Sequence, residues 1–409
     1  MSHSDRLLDT AAALFWEKGF AATTTREIAA ALGIQQASLY YHMASKEDLL
    51  YQIFVSSLQQ FLTDVPPAVQ PAECPLERIR MLIHTHVATL LRYQKRNVTM
   101  LTELRSLSPR HRTEVVALRE KYTDFVRSTL QQGQAAGVIR SDISPALLCL
   151  ALLNLLNWSA RWFRPDRAPA ADQLADIFFK LYLEGAIASR AHRPAMAPAL
   201  EAQTKRPASR ARRLLKPSEN STAERLLDAA VALFARKGYA ATSTREVAAL
   251  LGMQKASLYY HIESKEDLLY FICRSSLERI RSDVEQAIQE VRNPLERTRT
   301  LICAHIESML RDAEEHSTNL AEMHALSPER LAQVVALREG YVDLVRSVLQ
   351  EAQRAGALRT DIDVKYLSLS LLGLMNRMLV WYRRKGPLSP GQLGQLFAVL
   401  FLSGAGAAK

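Results

Sequence analysis

Residues 37–50 read ASLYYHMASKEDLL, and residues 256–269 read ASLYYHIESKEDLL. The echo extends far beyond this stretch. A shift of 219 residues lays the chain on itself without a gap, from Ser2 on Ser221 to Gly185 on Gly404. SLSP at 106 returns as ALSP at 325, LREKYTDFVRSTLQ at 118 as LREGYVDLVRSVLQ at 337, and GVIRSDI at 137 as GALRTDI at 356. A period this long is a duplicated whole unit of about 185 residues, not a solenoid module. Whatever fold the first half takes, the second must take too. Folded subunits most often pair about a two-fold axis, so the duplication predicts a dimer whose protomers have become one chain.

A chain of 409 residues is too long for one ordinary core, and 48% hydrophobic content with 23% charged residues is globular. The four cysteines, Cys74, Cys149, Cys273 and Cys303, have no cysteine at the matching place in the other half, which argues against a disulfide framework or a thiolate metal site. No cofactor or metal is expected. No apolar run approaches a membrane span and the first residues lack a secretory apolar core, so the sequence reads as soluble and cytoplasmic, with no membrane partner. The formal net charge of +10 suits a polyanion. More than half of it sits in 190–220, an Ala-, Pro- and Arg-rich stretch without helical period, where eight basic residues face Glu201 and Glu219. As a flexible linker it would span roughly 30 Å. It reads as a solvated tether, with contact to DNA phosphates as the sharper alternative.

Helical signals open each half. Leu7, Leu8, Ala11, Ala12, Leu14 and Phe15 form one stripe over 4–18, closed by Lys18 and Gly19. Thr24 and Glu27 are spaced as a capping box, repeated as Ser243 and Glu246, and Ser221 with Glu224 offers another at the start of the second half. The helix that Thr24 opens packs Ile28, Ala29 and Leu32 inward and stops at Gly33, where a tight turn needs the backbone freedom of glycine. A further helix, Gln35 to His42, turns Ala37 and Leu39 inward and Ser38 outward, with Gln36, Tyr40, Tyr41 and His42 too large and polar for a simple core face. Ser45 then caps a fourth helix with Lys46 in its first turn, where charge and backbone amides can both meet a phosphate. A short helix with a free face of this kind fits the width of a DNA major groove.

The run TTTREIAAALGIQQASLYYHMASKEDLL resembles the DNA-binding domain of TetR-family transcriptional regulators, and TSTREVAALLGMQKASLYYHIESKEDLL resembles it again. The resemblance covers about the first 55 residues of each half. It implies an all-α chain of two TetR-like subunits in tandem, each an N-terminal helix-turn-helix domain plus a C-terminal helical ligand-binding and dimerisation domain. The implied boundaries are 1–55 and 56–189, a linker at 190–220, then 221–274 and 275–409. Carried onto matching positions, the implied DNA contacts are Thr25, Arg26, Gln36, Ser38, Tyr40, Tyr41, His42 and Lys46. In the second half they are Thr244, Arg245, Lys255, Ser257, Tyr259, Tyr260, His261 and Lys265. Gln35 and Gln254 stand where such regulators usually carry a Ser or Thr cap. The family expectation is a repressor released from its operator by a small molecule.

Farther on, the sequence predicts helices at about 75–94, 96–107 and 109–136, with Pro75, Pro109, Pro294 and Pro328 in first turns and Gly137 and Gly356 as C-terminal caps. Pro66 and Pro67 should end the fourth helix near Leu62. The second half has Glu285 and Gln286 there, so its helix should reach about Val291 and the halves should respond unequally. Residues 145–163 are apolar nearly all round until Trp158, and with the last helix, 171–189, they resemble the pairing face of family members. Asn157, Trp158, Arg161 and Trp162 are polar or amphipathic groups in this apolar setting. Either Asn157 bonds a neighbouring helix and Arg161 reaches solvent, or they line a pocket for an anionic or amphipathic effector. The second half keeps Asn376 and Trp381 but has Arg377 in place of Trp158 and Val380 in place of Arg161. The pattern ending in WFRPD and WYRRK is similar to that of regulators of fatty-acid and steroid catabolism, which implies an acyl-CoA or lipophilic acid as effector.

Three classes compete. As a regulator, the chain partners a double-stranded DNA operator and a small-molecule effector as an intramolecular pseudo-dimer, with further homodimerisation left open. Gln36 and Lys255 occupy one place on the two recognition helices and favour different base edges, so the operator should be an imperfect palindrome. As an enzyme it would need partners for the repeated pair His86 and His305, and no carboxylate or cysteine stands at a suitable spacing. As a helical interaction module it would have kept the fold but lost effector response or DNA binding, against which the intact Tyr, His and Lys positions of both halves speak.

Overall fold

The computed structural model describes residues 3–41, 43–185, 222–383 and 386–404, with every side chain among them except those of His3, Ala223 and Lys255. His42, the basic stretch 190–220 and the Ser221 cap lie outside the described residues. The first copy runs α1 (His3–Lys18), α2 (Thr25–Leu32), α3 (Gln36–Leu39), α4 (Lys46–Val69), α5 (Pro75–Arg92), α6 (Gln94–Thr102), α7 (Pro109–Ala135), α8 (Pro145–Trp162) and α9 (Ala171–Glu184). The second runs α10 (Thr222–Lys237), α11 (Thr244–Leu250), α12 (Lys255–Leu258), α13 (Lys265–Ile288), α14 (Pro294–Arg311), α15 (Ala313–Glu322), α16 (Pro328–Arg354), α17 (Val364–Asn376), α18 (Met378–Trp381) and α19 (Pro390–Ser403). No β-strand occurs among the described residues, and none of their helices is long and apolar enough to cross a membrane. By contact the chain forms two compact units. One is Met1–Ala186 with Leu369–Arg377 and Leu400–Lys409; the other is Ile187–Ser368 with Met378–Val399.

Each head is built on the same buried set. Leu7, Ala11, Phe15, Ile28, Leu39, Leu49 and Ile53 form the first core, and Leu226, Ala230, Phe234, Val247, Leu258, Leu268 and Ile272 the second. These are the same positions in register, so two sequences that differ elsewhere bury the same stripes. Two of the three predicted capping boxes form: Thr24 accepts from the Glu27 amide and Glu27 accepts from the Thr24 amide, as Ser243 and Glu246 do. Gly33 closes α2 at φ 71°, a conformation open to glycine, and its N–H reaches the carbonyls of Ala29 and Ala30. In both copies the segment opened by Ser108 or Ser327 brings a leucine and a valine, Leu107 and Val115 or Leu326 and Val334, into the head's core.

Three expectations about helices change. The helix predicted over Gln35–His42 is a single turn, Gln36–Leu39, after which Tyr40 and Tyr41 close i to i−3 bonds onto Ala37 and Ser38 at 3.2 and 3.3 Å. The chain must turn there because Met43 is buried and Ser45 has to reach the start of α4. With one turn only Leu39 enters the core; Ala37 is exposed and Ser38 is half-buried, the reverse of the predicted facing. The fourth helix also passes through Pro66 and Pro67 to Val69. A proline inside a helix costs about 3 kcal/mol, whereas each well-buried apolar side chain gains about 1.5–3 kcal/mol. Phe61, Val65 and Val69 are all buried along that end, which offsets the lost bonds. As α13 stops at Ile288, α4 and α13 are both 24 residues long. Helix length therefore gives no ground for an unequal response.

Candidate nucleic-acid interface and buried polar cluster

The outer face of α3 is organised by Thr25 at the start of α2. Gln36 donates from Nε2 to Thr25 Oγ1 at 2.9 Å, and the Tyr40 hydroxyl lies 3.4 Å from the same oxygen. Thr244 and Tyr259 repeat the second bond at 3.3 Å. This bracket holds the first tyrosine of each pair against the head and leaves the next one free to project: Tyr41 is 89% exposed and Tyr260 88%. Arg26, Arg245, Gln36 and His261 are exposed, while Ser38 and Ser257 are half-buried. The structure thus gathers Thr25, Arg26, Gln36, Tyr40 and Tyr41 on the α2–α3 surface, and Thr244, Arg245, Tyr259 and Tyr260 on the α11–α12 surface. His42 and the Lys255 side chain lie outside the described residues.

Lys46 and Lys265 stand apart from that group. The Lys46 ammonium donates to the carbonyls of Phe20, Ala21 and Thr23 at 2.7, 3.3 and 2.6 Å and lies 4.4 Å from the Phe20 ring centroid. Lys265 donates to Tyr239 and Thr242 at 3.0 Å and sits over the Tyr239 ring. An ammonium has three donors, so a phosphate contact by Lys46 competes with carbonyls that already use them. Burial lowers the pKa of both lysines, as expected of cations folded under a loop. The geometry makes them closures of the segment between the first two helices of each head. Glu27, which closes the capping box, also accepts from Lys18 at 2.6 Å; that bond, then those from Thr24, hold its carboxyl at about 2. Lys237 and Glu246 repeat the pair, with Glu246 again at about 2.

Deeper in the first unit, His86 on α5 bonds the Tyr122 hydroxyl through Nδ1 at 2.7 Å and meets Asn157 Oδ1 through Nε2 at 3.2 Å. Burial pushes His86 down to about 4, so it is neutral near pH 7. His305 repeats the bond to Tyr341 at 2.6 Å. Among the described residues no group of three His, Cys, Asp or Glu side chains could hold a metal ion. Asn157 thus bonds the neighbouring helix α5. Arg161 lies with its guanidinium 5.4 Å from the Trp158 ring centroid, and Trp158 and Trp162 are half-buried. Asn376 and Arg377 group with the first unit and Trp381 with the second.

Two residues were missed by sequence reasoning. Arg119 of α7, in the first copy of the repeated LRE, acts electrostatically on Arg377. Arg96 of α6 is buried and binds Asp9 at 2.5 Å and Asp5 at 3.2 Å, tying α6 to α1. Aligning the halves would have flagged Arg96, because Glu315 stands at its place with the opposite charge.

Comparison with known proteins agrees with this architecture. The family of tetR bacterial regulatory proteins matches residues 7–53 and 226–270, and the tetracyclin repressor-like C-terminal domain matches 72–186 and 291–405. The HTH-type transcriptional repressor KstR2 of Mycobacterium tuberculosis (strain ATCC 25618 / H37Rv) is 29% identical over 185 residues, covering 45% of this chain and 92% of the relative. Among solved structures, the TetR family transcriptional regulator PfmR of Thermus thermophilus is similar at 37% identity and TM-score 0.41, covering 43% of this chain and 96% of that one. AibR, solved in complex with isovaleryl coenzyme A and operator DNA, is similar at 30% identity and TM-score 0.41, covering 44% and 97%. With the head and the C-terminal domain each matched twice, the chain belongs to the TetR family and is a tandem DNA-binding transcriptional regulator.

Proposed function

We propose that the chain is a repressor that grips one operator with both of its heads as a single-chain pseudo-dimer and lets go when an effector binds its helical core. The observation that carries this reading is the paired bracket: Thr25 with Tyr40 and Thr244 with Tyr259 leave Tyr41 and Tyr260 projecting from matching places on two heads. Two such helices fit successive major grooves when they lie about one helical turn apart, roughly 34–36 Å. A further support is that Leu369–Arg377 and Leu400–Lys409, which belong to the second copy by sequence, fall in the compact unit of the first copy. Linking the heads makes the second contact intramolecular, at an effective concentration in the millimolar range.

The relative KstR2 is named a repressor, which favours that sign of regulation. An acyl-CoA or a lipophilic acid remains the proposed effector class. Such a molecule releases the operator only to the extent that it prefers a non-binding arrangement. Footprinting of the chain on DNA from its own upstream region tests the reading. Protection of two half-sites by one chain, weakened on adding an acyl-CoA series, is expected; protection of a lone half-site overturns the pseudo-dimer.

A further inference from the structure

The ends of α17 and α19 fall in the first compact unit with α8 and α9. Part of their contact is reciprocal. A Cβ on Gly185 would meet the Leu402 carbonyl and one on Gly404 the Leu183 carbonyl, each residue answered by its counterpart 219 positions away. A small apolar pocket is lined by three further counterpart pairs, Leu155 and Leu374, Leu181 and Leu400, and Tyr182 and Phe401. Such reciprocity is what a two-fold axis produces. Another part of the contact is not reciprocal. A Cβ on Gly373 would fall 2.6 Å from Trp158 Cβ and 2.8 Å from its Cγ and Cδ1, closer than side chains approach, so Trp158 fits only against a residue without a side chain. The counterpart of Gly373 is Asn154, and that of Trp158 is Arg377. Asn154, buried on α8, donates from Nδ2 to the Leu374 carbonyl at 3.3 Å. Leu374 lies in the last turn of α17, which stops at Asn376, and the carbonyls of a last turn lack partners inside their helix. Its counterpart Leu155 lies inside α8, which runs on to Trp162 and offers no such carbonyl there.

We propose that Trp158 and Gly373 are a knob and its hole which, with Asn154 and the Leu374 carbonyl, make the two halves complementary instead of alike, so that each half pairs with the other kind and rejects its own. A first half against another first half would set Trp158 on Asn154, whose side chain begins where Gly373 has none. Overpacking of this kind drives side chains off their rotamers and shifts the backbone. A second half against another second half would bring Arg377, and no tryptophan, to each glycine. It would also leave the Leu374 carbonyl without a side-chain donor, because glycine supplies none. Specificity then comes from what is refused as much as from what fits. A duplicated subunit needs such a device. Its halves inherit a face that pairs with copies of itself, and like-with-like pairing would join separate chains.

The inference rests on the pseudo-dimer reading above, and the two can fail separately. Three full chains are melted and weighed in solution by light scattering. They are the parent; a matched chain, Gly373→Asn with Arg377→Trp, whose halves are alike at both places; and a swapped chain that adds Asn154→Gly and Trp158→Arg to these. The matched chain should melt about 5 °C below the parent, although replacing a helical glycine ordinarily strengthens a helix. The swapped chain should recover most of that loss, although its two further changes remove packed side chains and would by themselves lower the melting point again. A matched chain that melts with the parent, or a swapped chain that melts no higher than the matched one, overturns the proposal; if the parent is then one chain per particle, the pseudo-dimer still stands. Two chains per parent particle, with the loss and recovery as expected, support the knob and hole and count against pairing within a single chain.

Discussion

The two heads share the bracket that holds one tyrosine and projects the next, and differ in how they are fastened to the helices behind them. In the first copy Arg96 on α6 is 4% exposed at its side chain and holds Asp9 and Asp5 of α1, with Ser56 of α4 at 3.3 Å. In the second copy the same place is Glu315, which faces Asp228, the counterpart of Asp9. It turns to Arg279 of α13 at 3.1 Å, which also binds Asp312 at 3.2 Å. The connection between α1 and α6 has become one between α15 and α13. A second junction shows the same substitution of parts. Glu47 accepts from the Ser108 amide at 2.8 Å and from His111 at 2.9 Å, whereas Glu266 accepts from the Ser327 amide at 2.8 Å and Arg330 binds Asp267. Duplication kept the Thr–Tyr bracket and the projecting tyrosine of each head and let the fastenings diverge.

The largest expected effect breaks the first fastening. Arg96→Met removes the guanidinium that binds Asp9 and Asp5 and should cost about 2–3 kcal/mol. Hydrogen exchange in α1 should then quicken by more than tenfold while α10 stays unchanged; equal quickening in both would deny the contrast. Next come the projecting tyrosines. Tyr41→Ala and Tyr260→Ala should each weaken operator binding about tenfold, near 1.4 kcal/mol, with unchanged melting. Effects on melting instead of on binding would mark these side chains as packing groups.

Lys46→Met and Lys265→Met serve as the symmetric control, each leaving loop carbonyls unpaired at about 1–2 kcal/mol. Their salt dependence of DNA binding should match the parent's, since their ammonium donors are held by loop carbonyls; a flatter salt slope would assign them to DNA. The smallest effect is a pH dependence confined to the second copy. Burial, with Asp312 and Asp228 adding to it against Arg279, holds the Glu315 carboxyl above its ordinary 4.5. The folded state therefore binds this proton more tightly than the unfolded state, so the stability it gives is present below pH 4.5 and is lost as pH rises past that value. Glu27 and Glu246, held at about 2, act in the opposite sense: their stability is present above 4.5 and is lost as pH falls toward 2. Between pH 7 and 5, acidification should slow exchange in α15 and leave α6 alone, by less than about 1 kcal/mol. Glu315→Gln should remove the difference, and an equal response in α6 would contradict it.

Local signals were legible in the sequence where chemistry and geometry are adjacent. The boxes at Thr24 and Ser243, the first-turn prolines at 75, 109, 294 and 328, and the left-handed caps at Gly137 and Gly356 all formed as read. Signals that depend on packing were misread. The size of α3 was set by the burial of Met43, and the passage of α4 through two prolines by Val65 and Val69. The polar partners were out of reach for a related reason: His86, Tyr122 and Asn157 are 36 and 71 residues apart, and no spacing rule joins them. The sequence did raise Gln36 and Lys255 as the unlike pair on otherwise matched helices, and the bond from Gln36 to Thr25 now fixes how the first of them is presented.

That unlike pair leads to the most direct test, selection of bound sequences from random DNA with the number of chains per selected duplex counted by native mass spectrometry. One chain on two half-sites about one helical turn apart, differing at the base that faces Gln36 or Lys255, is the predicted result. The difference should swap when those two residues are exchanged. Two chains on a perfect palindrome, or one chain on a lone half-site, would contradict a regulator that reads its operator with both halves of a single chain.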